Sequence, residues 1–452
     1  MNAAEEAYRR PRQESALLYE RARRVIPGGV SHTVRYYPPY PAFMERAQGG
    51  RIWDVDGNSY LDLWLGHYTH ILGHAPDCIL EPLRQALGRG LNWGHANEHA
   101  VELAELICEL VPSARMARFC CSGTEATMFA ARLARGFTRR RMILKVRGSW
   151  HGPSSDLAVA ITFPFEEPES TGIPPETQQF TATLPFNETE ETLKIIDRHA
   201  ADLAAVILDP IVGASGFLPP QRGYLEAVRQ ATQACGALLI FDEIITGFRV
   251  GLGGAQGVFG VLPDLTTLGK IAGGGMPIGV VCGRADIMEA STPILQARKQ
   301  TPLLIGGGTF SSNHLSMLSG LAMLRHLRRH ADTFYPRLAA AGERLRRGIE
   351  WAMAESGIVA QCTGYGSLVG VNFPRVYDVT LDTPWKVHAM TSNAAYGDEL
   401  RLRLMEHGVF AVHGGGALCT EHGDSDLEAI IEAYRLAGRE MVEAGLSVAR
   451  PR

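Results

Sequence analysis

Asp242 closes an apolar, strand-like run, and Lys270 follows 28 residues later in a glycine-rich, apolar setting, TLGKIAGGGMP. A lysine with little polar surface around it has a lowered pKa and becomes a nucleophile toward aldehydes. A buried acid can keep a pyridine nitrogen protonated, which turns the ring into an electron sink. An amine for an aldehyde and an acid for a ring nitrogen are the two halves of pyridoxal phosphate chemistry, and the stretch 241–284 carries both. Alone, each residue says little, because most lysines are solvated surface charges and a strand-end acid is often a turn cap.

A third feature fits these two. Ser122-Gly123-Thr124 follows the strand-like MARFCC and opens the helical pattern SGTEATMFAARLARGFT. The free backbone N–H groups and the dipole of a helix start can hold a phosphate. By itself SGTEA reads as an ordinary helix N-cap; beside the lysine it reads as a phosphate cup. Strand alternation turns Glu243 away from Asp242, which makes it structural, and returns Ile244 to the cofactor side, where it packs on the ring face.

These residues need elements to hold them. MARFCC, MILKV, LAAVILD, ALLIFDE and GVVCGR are short, nearly all-apolar runs that fit buried strands of a parallel sheet. Helical patterns such as GYLEAVRQATQACG separate them. The fold class is therefore α/β, an open sheet covered on both faces, with ligands at the carboxyl ends of its strands. Ser122, Asp209 and Asp242 fall at those ends.

Before this part, 14–26 predicts an amphipathic helix stopped by Ile26-Pro27-Gly28-Gly29. A hairpin turns at Asp56-Gly57-Asn58, and 98–111 predicts a further helix. The segment 161–185 is rich in Pro, Thr and Glu and reads as a long surface loop over a site. Beyond about residue 315 a long helical stretch leads into a last α+β segment, with SLVGVNF and GVFAVHG as its strands. The domain expectation is 1–75 as an N-terminal segment and part of a small domain, 76–325 as the large cofactor-binding domain, and 326–452 as the C-terminal small domain.

Bulk properties narrow the class. The 452 residues are 46% hydrophobic and 20% charged, which suits a globular enzyme of more than one domain. A formal charge of −4 leaves no basic footprint for nucleic acid. There is no apolar run of membrane-spanning length and no apolar core of a signal peptide near the N-terminus. Eight cysteines without CxxC spacing point to a reducing, cytoplasmic compartment. No GxGxxG follows a strand with an acid about 20 residues on, so a nicotinamide oxidoreductase is disfavoured.

In chain order the motifs are Cys121-Ser122-Gly123-Thr124-Glu125-Ala126, Trp150-His151-Gly152, Asp209-Pro210, Asp242-Glu243, Lys270 and Gly308-Thr309-Phe310. This set, running from about Val25 to Glu440, resembles the class III, fold-type I pyridoxal-phosphate-dependent aminotransferases. The similarity is greatest to glutamate-1-semialdehyde aminomutases and β-phenylalanine-type aminotransferases. The resemblance implies a large domain with a mostly parallel seven-stranded sheet flanked by helices, plus a smaller α+β domain built from both chain ends. It implies Lys270 as the Schiff-base lysine and Asp242 as the ring-nitrogen partner. Trp150 and His151 stand where the family stacks an aromatic residue on the ring, and Asp209 joins the cofactor set. Thr309 matches a position that reaches the phosphate of the neighbouring subunit in a homodimer. Arg35, in GGVSHTVRYYPPYP, matches the family's carboxylate-gripping arginine, and its guanidinium fork suits that task. Tyr68 matches a pocket position. Arg35 and Tyr68 also have bland readings, as a stacked surface residue and as core packing.

Two departures bear on the reaction. The mutases of this group carry a glutamate near the C-terminus, where this chain reads His413-Gly414-Gly415-Gly416-Ala417. The family's asparagine in the segment after Asp209-Pro210 is Ala214 here. Both favour intermolecular transamination, with a β-amino acid as one donor class, over the mutase reaction. The triple glycine reads as room for a bulky side chain or as a backbone site for a carboxylate, which places Gly414 among the substrate residues. A non-catalytic protein of this fold is the remaining rival, and the intact Lys270, Asp242 and phosphate cup oppose it. No metal is expected.

Overall fold

A computed structural model of the chain describes residues 3–297, 303, 305–376 and 378–446. The chain divides into two compact units. One comprises 1–76, 337–379 and 390–452, and the other 77–336 and 380–389.

The larger unit is built on a seven-stranded sheet. Its strands are β1 (Met116–Cys120), β2 (Met142–Val146), β3 (Thr181–Leu184), β4 (Leu203–Leu208), β5 (Leu238–Asp242), β6 (Leu265–Gly269) and β7 (Gly279–Gly283). Their spatial order is β1-β7-β6-β5-β4-β2-β3. All run in one direction except β7, which is antiparallel to both β1 and β6. Strands β4 to β7 are buried along their whole length, which is why β4, β5 and β7 read as nearly continuous apolar runs, while β6, Leu-Thr-Thr-Leu-Gly, carries two buried threonines and is not among the expected strands.

Helix α1 (Gly123–Thr138) lies on this sheet. Phe129, Ala130 and Leu133 pack with Ile143, Ile207, Ile240 and Leu265 in one buried cluster. Burying a leucine- or isoleucine-sized side chain contributes about 1.5–3 kcal/mol before the entropy of ordering is subtracted. Helices α2 (Thr189–His199) and α3 (Tyr224–Cys235) connect β3 to β4 and β4 to β5. The latter ends at Gly236 in the left-handed region.

Two expectations are corrected here. GVVCGR forms a strand, but an antiparallel one. Only nine residues separate β6 from β7, whereas a parallel return needs a crossover of a dozen or more. The segment 161–185 is a loop only in part, since its end forms β3, paired to β2 from Ile143↔Thr181 to Val146↔Leu184.

The smaller unit draws on both chain ends. Strands Met44–Gln48, Arg51–Asp54 and Ser59–Asp62 form an antiparallel ladder, and Val409–Phe410 joins it parallel to Ser59–Asp62. Gln361–Thr363, Leu368–Asn372 and Gly416–Ala417 make a second sheet. A short helix, Ala3–Arg9, opens the chain, and the helix expected over 14–26 runs Gln13–Ala22, ending earlier than expected. Ile26 precedes Pro27 and is extended (φ −124°, ψ 123°), as a residue before proline must be. Arg12 is buried and fully engaged, donating to the Tyr60 hydroxyl at 2.9 Å and to the carbonyls of Tyr8 and Met405. Helix α4 (His314–Glu355) supplies residues to both units. Among the described residues no helix is long and apolar enough to cross a membrane.

Candidate active site

Five of the parallel strands end on the same side of the large sheet, and each delivers a polar group there. Strand β5 ends at Asp242, Lys270 and Asp209 directly follow β6 and β4, β2 leads to His151, and β1 leads to Ser122. Strands β6, β5, β4 and β2 are consecutive neighbours, so four of these groups form a row. Ligands of open α/β sheets bind at such carboxyl ends.

Asp242 is buried and held from two sides. Its Oδ1 accepts from Thr267 Oγ1 at 3.0 Å and from the Ile244 N–H at 3.1 Å. Its Oδ2 lies 2.7 Å from His151 Nδ1. Thr267 is the register partner of Asp242 across β5 and β6, which explains how it reaches the carboxylate. His151 Nδ1 is also 3.3 Å from Asp209 Oδ1. Asp209 Oδ2 receives the Gly213 N–H at 3.4 Å. Burial pushes the Asp209 carboxyl up to about 7; His151 pulls it down and the Asp242 charge raises it further. These three residues also have the spacing of a cation site. Tetrahedral ligands of one ion stand roughly 3.3 Å apart; the 2.7 Å from His151 to Asp242 is that of a direct hydrogen bond.

Lys270 sits in the left-handed region (φ 47°) one residue past β6 and is partly buried. Burial lowers its pKa to about 8, against the pull of Asp242 and Asp209. Its amine therefore reaches the neutral, nucleophilic form far more readily than an ordinary lysine.

Ser122 caps helix α1, its Oγ accepting from the Glu125 N–H at 3.2 Å. Glu125 reaches back to the Cys121 N–H at 2.6 Å. The N–H groups at the start of the helix precede its first internal bonds and point out of its end. Ile244 closes one side of this cup. A Cβ at Gly123 would come within 3.1 Å of its Cδ1, and one at Gly269 within 3.2 Å. Ile244 thus spans the cup and the end of β6, beside Lys270. The loop carrying Trp150 and His151 is tied to α1 through Thr127 Oγ1, which donates to the His151 carbonyl at 2.6 Å. His151 is buried while Trp150 is 48% exposed.

Glu243 turns away, as alternation requires. It accepts from Thr246 Oγ1, the N–H groups of Ala255 and Gln256, and Gln256 Nε2, at 2.5 to 3.1 Å. Thr309 is exposed in a stretch that passes the start of its own α1; a Cβ at Gly308 would be 3.5 Å from Cys121 Sγ. Arg35, Tyr68 and Gly414 belong to the smaller unit. Arg35 is exposed, and Tyr68 is buried with its ring edge-on to Trp64 at 4.9 Å. Gly414 has φ +73°, and its carbonyl accepts from the Tyr434 hydroxyl at 2.7 Å. The reading of the triple glycine as room is corrected at Gly415 and Gly416. A Cβ at Gly415 would lie 2.1 Å from the Val369 carbonyl oxygen, and one at Gly416 2.1 Å from that of Leu63. Backbone fills the space at these two positions, while a Cβ at Gly414 would make only ordinary contacts, 3.4 Å from Leu400 Cδ2 and 3.5 Å from the Val371 carbonyl oxygen.

Over residues 33–420 the sequence matches the family described as aminotransferase class-III. The chain belongs to the class III aminotransferases. It is 38% identical over 433 residues, 93% of this chain and 96% of the relative, to glutamate-1-semialdehyde 2,1-aminomutase 2 of Bacillus licheniformis. Among solved structures, an omega-transaminase from Sphaerobacter thermophilus superposes with a TM-score of 0.88 at 36% identity, covering 96% of this chain and 99% of that one. A β-phenylalanine aminotransferase from Variovorax paradoxus does so with a TM-score of 0.85 at 30% identity, covering 100% and 99%. The fold of this class III enzyme is that of the type I pyridoxal-phosphate-dependent transferases, and pyridoxal phosphate is its cofactor.

The residues present fit that group. A helix start offers N–H groups for a phosphate, Asp242 offers a carboxylate for a protonated ring nitrogen, and Lys270 offers an amine of lowered pKa for an aldehyde. His151 Nε2 is buried without a protein partner, a polar atom left for something else to satisfy.

Sequence reasoning missed Thr267 and Thr127, whose roles depend on strand register and on loop placement. It also passed over Lys145, although a lysine inside the apolar run MILKV is an anomaly that could have been noticed.

Proposed function

We propose that this enzyme is an aminotransferase that moves an amino group between an amino acid, a β-amino acid among them, and an oxo acid or aldehyde. Bound at Lys270, pyridoxal phosphate would supply the electron sink for carbanion chemistry at the donor's amine-bearing carbon. The protein's part follows from its own residues. Ser122, Gly123 and Thr124 hold the phosphate. Asp242, steadied by Thr267 and His151 and backed by Asp209, keeps the ring nitrogen protonated. Trp150 and Ile244 flank the ring. Lys270 Nζ, as a neutral amine, would take the proton from the donor's amine-bearing carbon. Donor and acceptor occupy the same site in turn, so ping-pong kinetics follow. Arg35 grips the substrate carboxylate, with Tyr68 and the backbone of Gly414 as further substrate contacts.

The single observation carrying transamination over mutase chemistry is the stretch His413–Ala417. It brings no carboxyl group. The aminomutase reading is kept as the second, because relatives at 38% identity bear that name. Glutamate-1-semialdehyde fed without an external acceptor decides between them. Product formation at steady turnover supports the mutase; conversion that needs an added oxo acceptor supports the transaminase. A screen of α- against β-amino donors, followed by the cofactor's absorption, then names the donor class.

The working form proposed is a homodimer in the cytoplasm, with Thr309 reaching the neighbouring subunit's phosphate. Exposed Leu91 and Phe310 favour a partner surface there, since the Thr309 carbonyl accepts from Asn92 Nδ2 at 3.4 Å and so lies among them. Eight unbridged cysteines suit a reducing compartment.

A further inference from the structure

A second lysine in the larger unit is buried more deeply than Lys270. Lys145, in β2, is wholly inaccessible. Among the described residues it makes no ion pair with any carboxylate. Burial lowers its pKa to about 8, with Asp209 and Glu169 countering at longer range. An unpaired ammonium in a sheet interior is costly. A methionine would fill the same space without that cost, so the charge must be offset by what it bonds.

Its Nζ donates to the Ser149 carbonyl at 3.0 Å and to the Val159 carbonyl at 2.6 Å. These two acceptors stand on opposite arms of the loop that follows β2. The arms are joined next door by one backbone bond, Gly148 N–H to the Ala160 carbonyl at 2.8 Å. Two carbonyls cannot bond each other, and an ammonium with three donors bridges both. Between the arms lie Trp150, His151 and Gly152. A Cβ at Gly152 would be 2.4 Å from Thr124 Oγ1, so the loop has little slack against the start of α1.

We propose that Lys145 is a positioning residue that clips the two arms of the 148–160 loop together and so sets His151 against Asp242 and Trp150 beside the cofactor. The clip acts through the loop and touches no reacting atom. Its link to the cofactor rests on the reading of Trp150 and His151 given above.

The test compares Lys145→Met, Lys145→Gln and Lys145→Arg in the cofactor-loaded enzyme by hydrogen exchange and by the circular dichroism of the cofactor band. Amides of 148–160 should exchange roughly tenfold faster or more in Lys145→Met, because the loop loses both bonds. The cofactor-band dichroism should fall with it. Lys145→Gln, able to reach one carbonyl, should lie between, and Lys145→Arg should restore most of both signals. Wild-type exchange rates and dichroism in Lys145→Met would overturn the proposal. If that variant does not fold, Lys145→Gln against wild type and Lys145→Arg carries the comparison, and wild-type exchange in the glutamine variant overturns it equally. His151→Asn separates the two readings. If it keeps the loop protected and the cofactor band unchanged, the cofactor role of His151 falls while the clip stands.

Discussion

Replacing Asp242 by asparagine separates its structural part from its chemical part. The amide oxygen can take the place of Oδ1 and keep both bonds, from Thr267 Oγ1 at 3.0 Å and Ile244 N–H at 3.1 Å. The amide nitrogen then faces His151 Nδ1 across 2.7 Å, and the imidazole proton must move to Nε2 so that Nδ1 can accept. One hydrogen bond is rearranged and none is lost outright, at a cost of about 1 kcal/mol. Loss of a charge beside Asp209 works in the other direction, since Asp242 raises the pKa of that buried carboxyl. Thermal unfolding of the variant should therefore stay within a few degrees of wild type. The chemistry should not. A buried cation robbed of its carboxylate typically costs about 3–5 kcal/mol, and each 1.36 kcal/mol is tenfold in rate, so the half-reaction should slow by about 10²–10⁴-fold. Rapid mixing with a saturating amino donor, followed by the cofactor's absorption, measures that step alone. A variant that folds, binds cofactor and reacts within tenfold of wild type would refute the assignment of Asp242 to the ring nitrogen. In the same variant the Asp209 carboxyl should titrate below about 7, which carbon NMR of labelled aspartate would register.

Two further outcomes follow from single groups. Lys270, lowered to about 8 from an ordinary 10.5, should let the apoenzyme capture pyridoxal phosphate at a rate that rises through about pH 8. The folded chain releases this proton earlier than the unfolded one, so the same group adds stability as pH climbs from about 8 toward 10.5; a capture rate that rises only near 10.5 would contradict both. Gly279→Ala would set a Cβ 2.0 Å from the Ser122 carbonyl oxygen and 2.7 Å from Cys120 Sγ. Because β7 and β1 must move apart, stability should fall by about 1–3 kcal/mol or more, and cofactor affinity should fall with it, read by melting and by equilibrium dialysis.

The sheet was legible where burial made it so. MILKV and LAAVILD fall between turn residues and show no alternation, because both faces of those strands are covered. Thr181–Leu184 lacks that signal. It is an edge strand paired to β2 among the described residues, its side chains are only partly buried before Leu184, and its Thr-Ala-Thr-Leu looks like the loop before it. The direction of β7 was legible in principle from the nine-residue connection, which the apolar composition of GVVCGR hides. Composition reports burial, while connection length reports direction.

The same distinction governs the site. Lys270 and Asp242 stand out because a charged side chain at the end of an apolar run has few structural uses. Thr267 does not stand out, since its role appears only when register sets it opposite Asp242. Glycine is the hardest residue to read, because it reports that a Cβ is excluded and not what excludes it. At Gly415 and Gly416 the excluding atoms are backbone oxygens of Val369 and Leu63, which belong to the fold and not to a substrate. The case against mutase chemistry therefore cannot rest on space near Gly414. It rests on the missing carboxyl group, together with Ala214 in place of an asparagine. Restoring one by Gly414→Glu would strain a residue at φ +73° and test packing before it tested mechanism, so the acceptor requirement, measured on the unaltered chain, is the sounder discriminator.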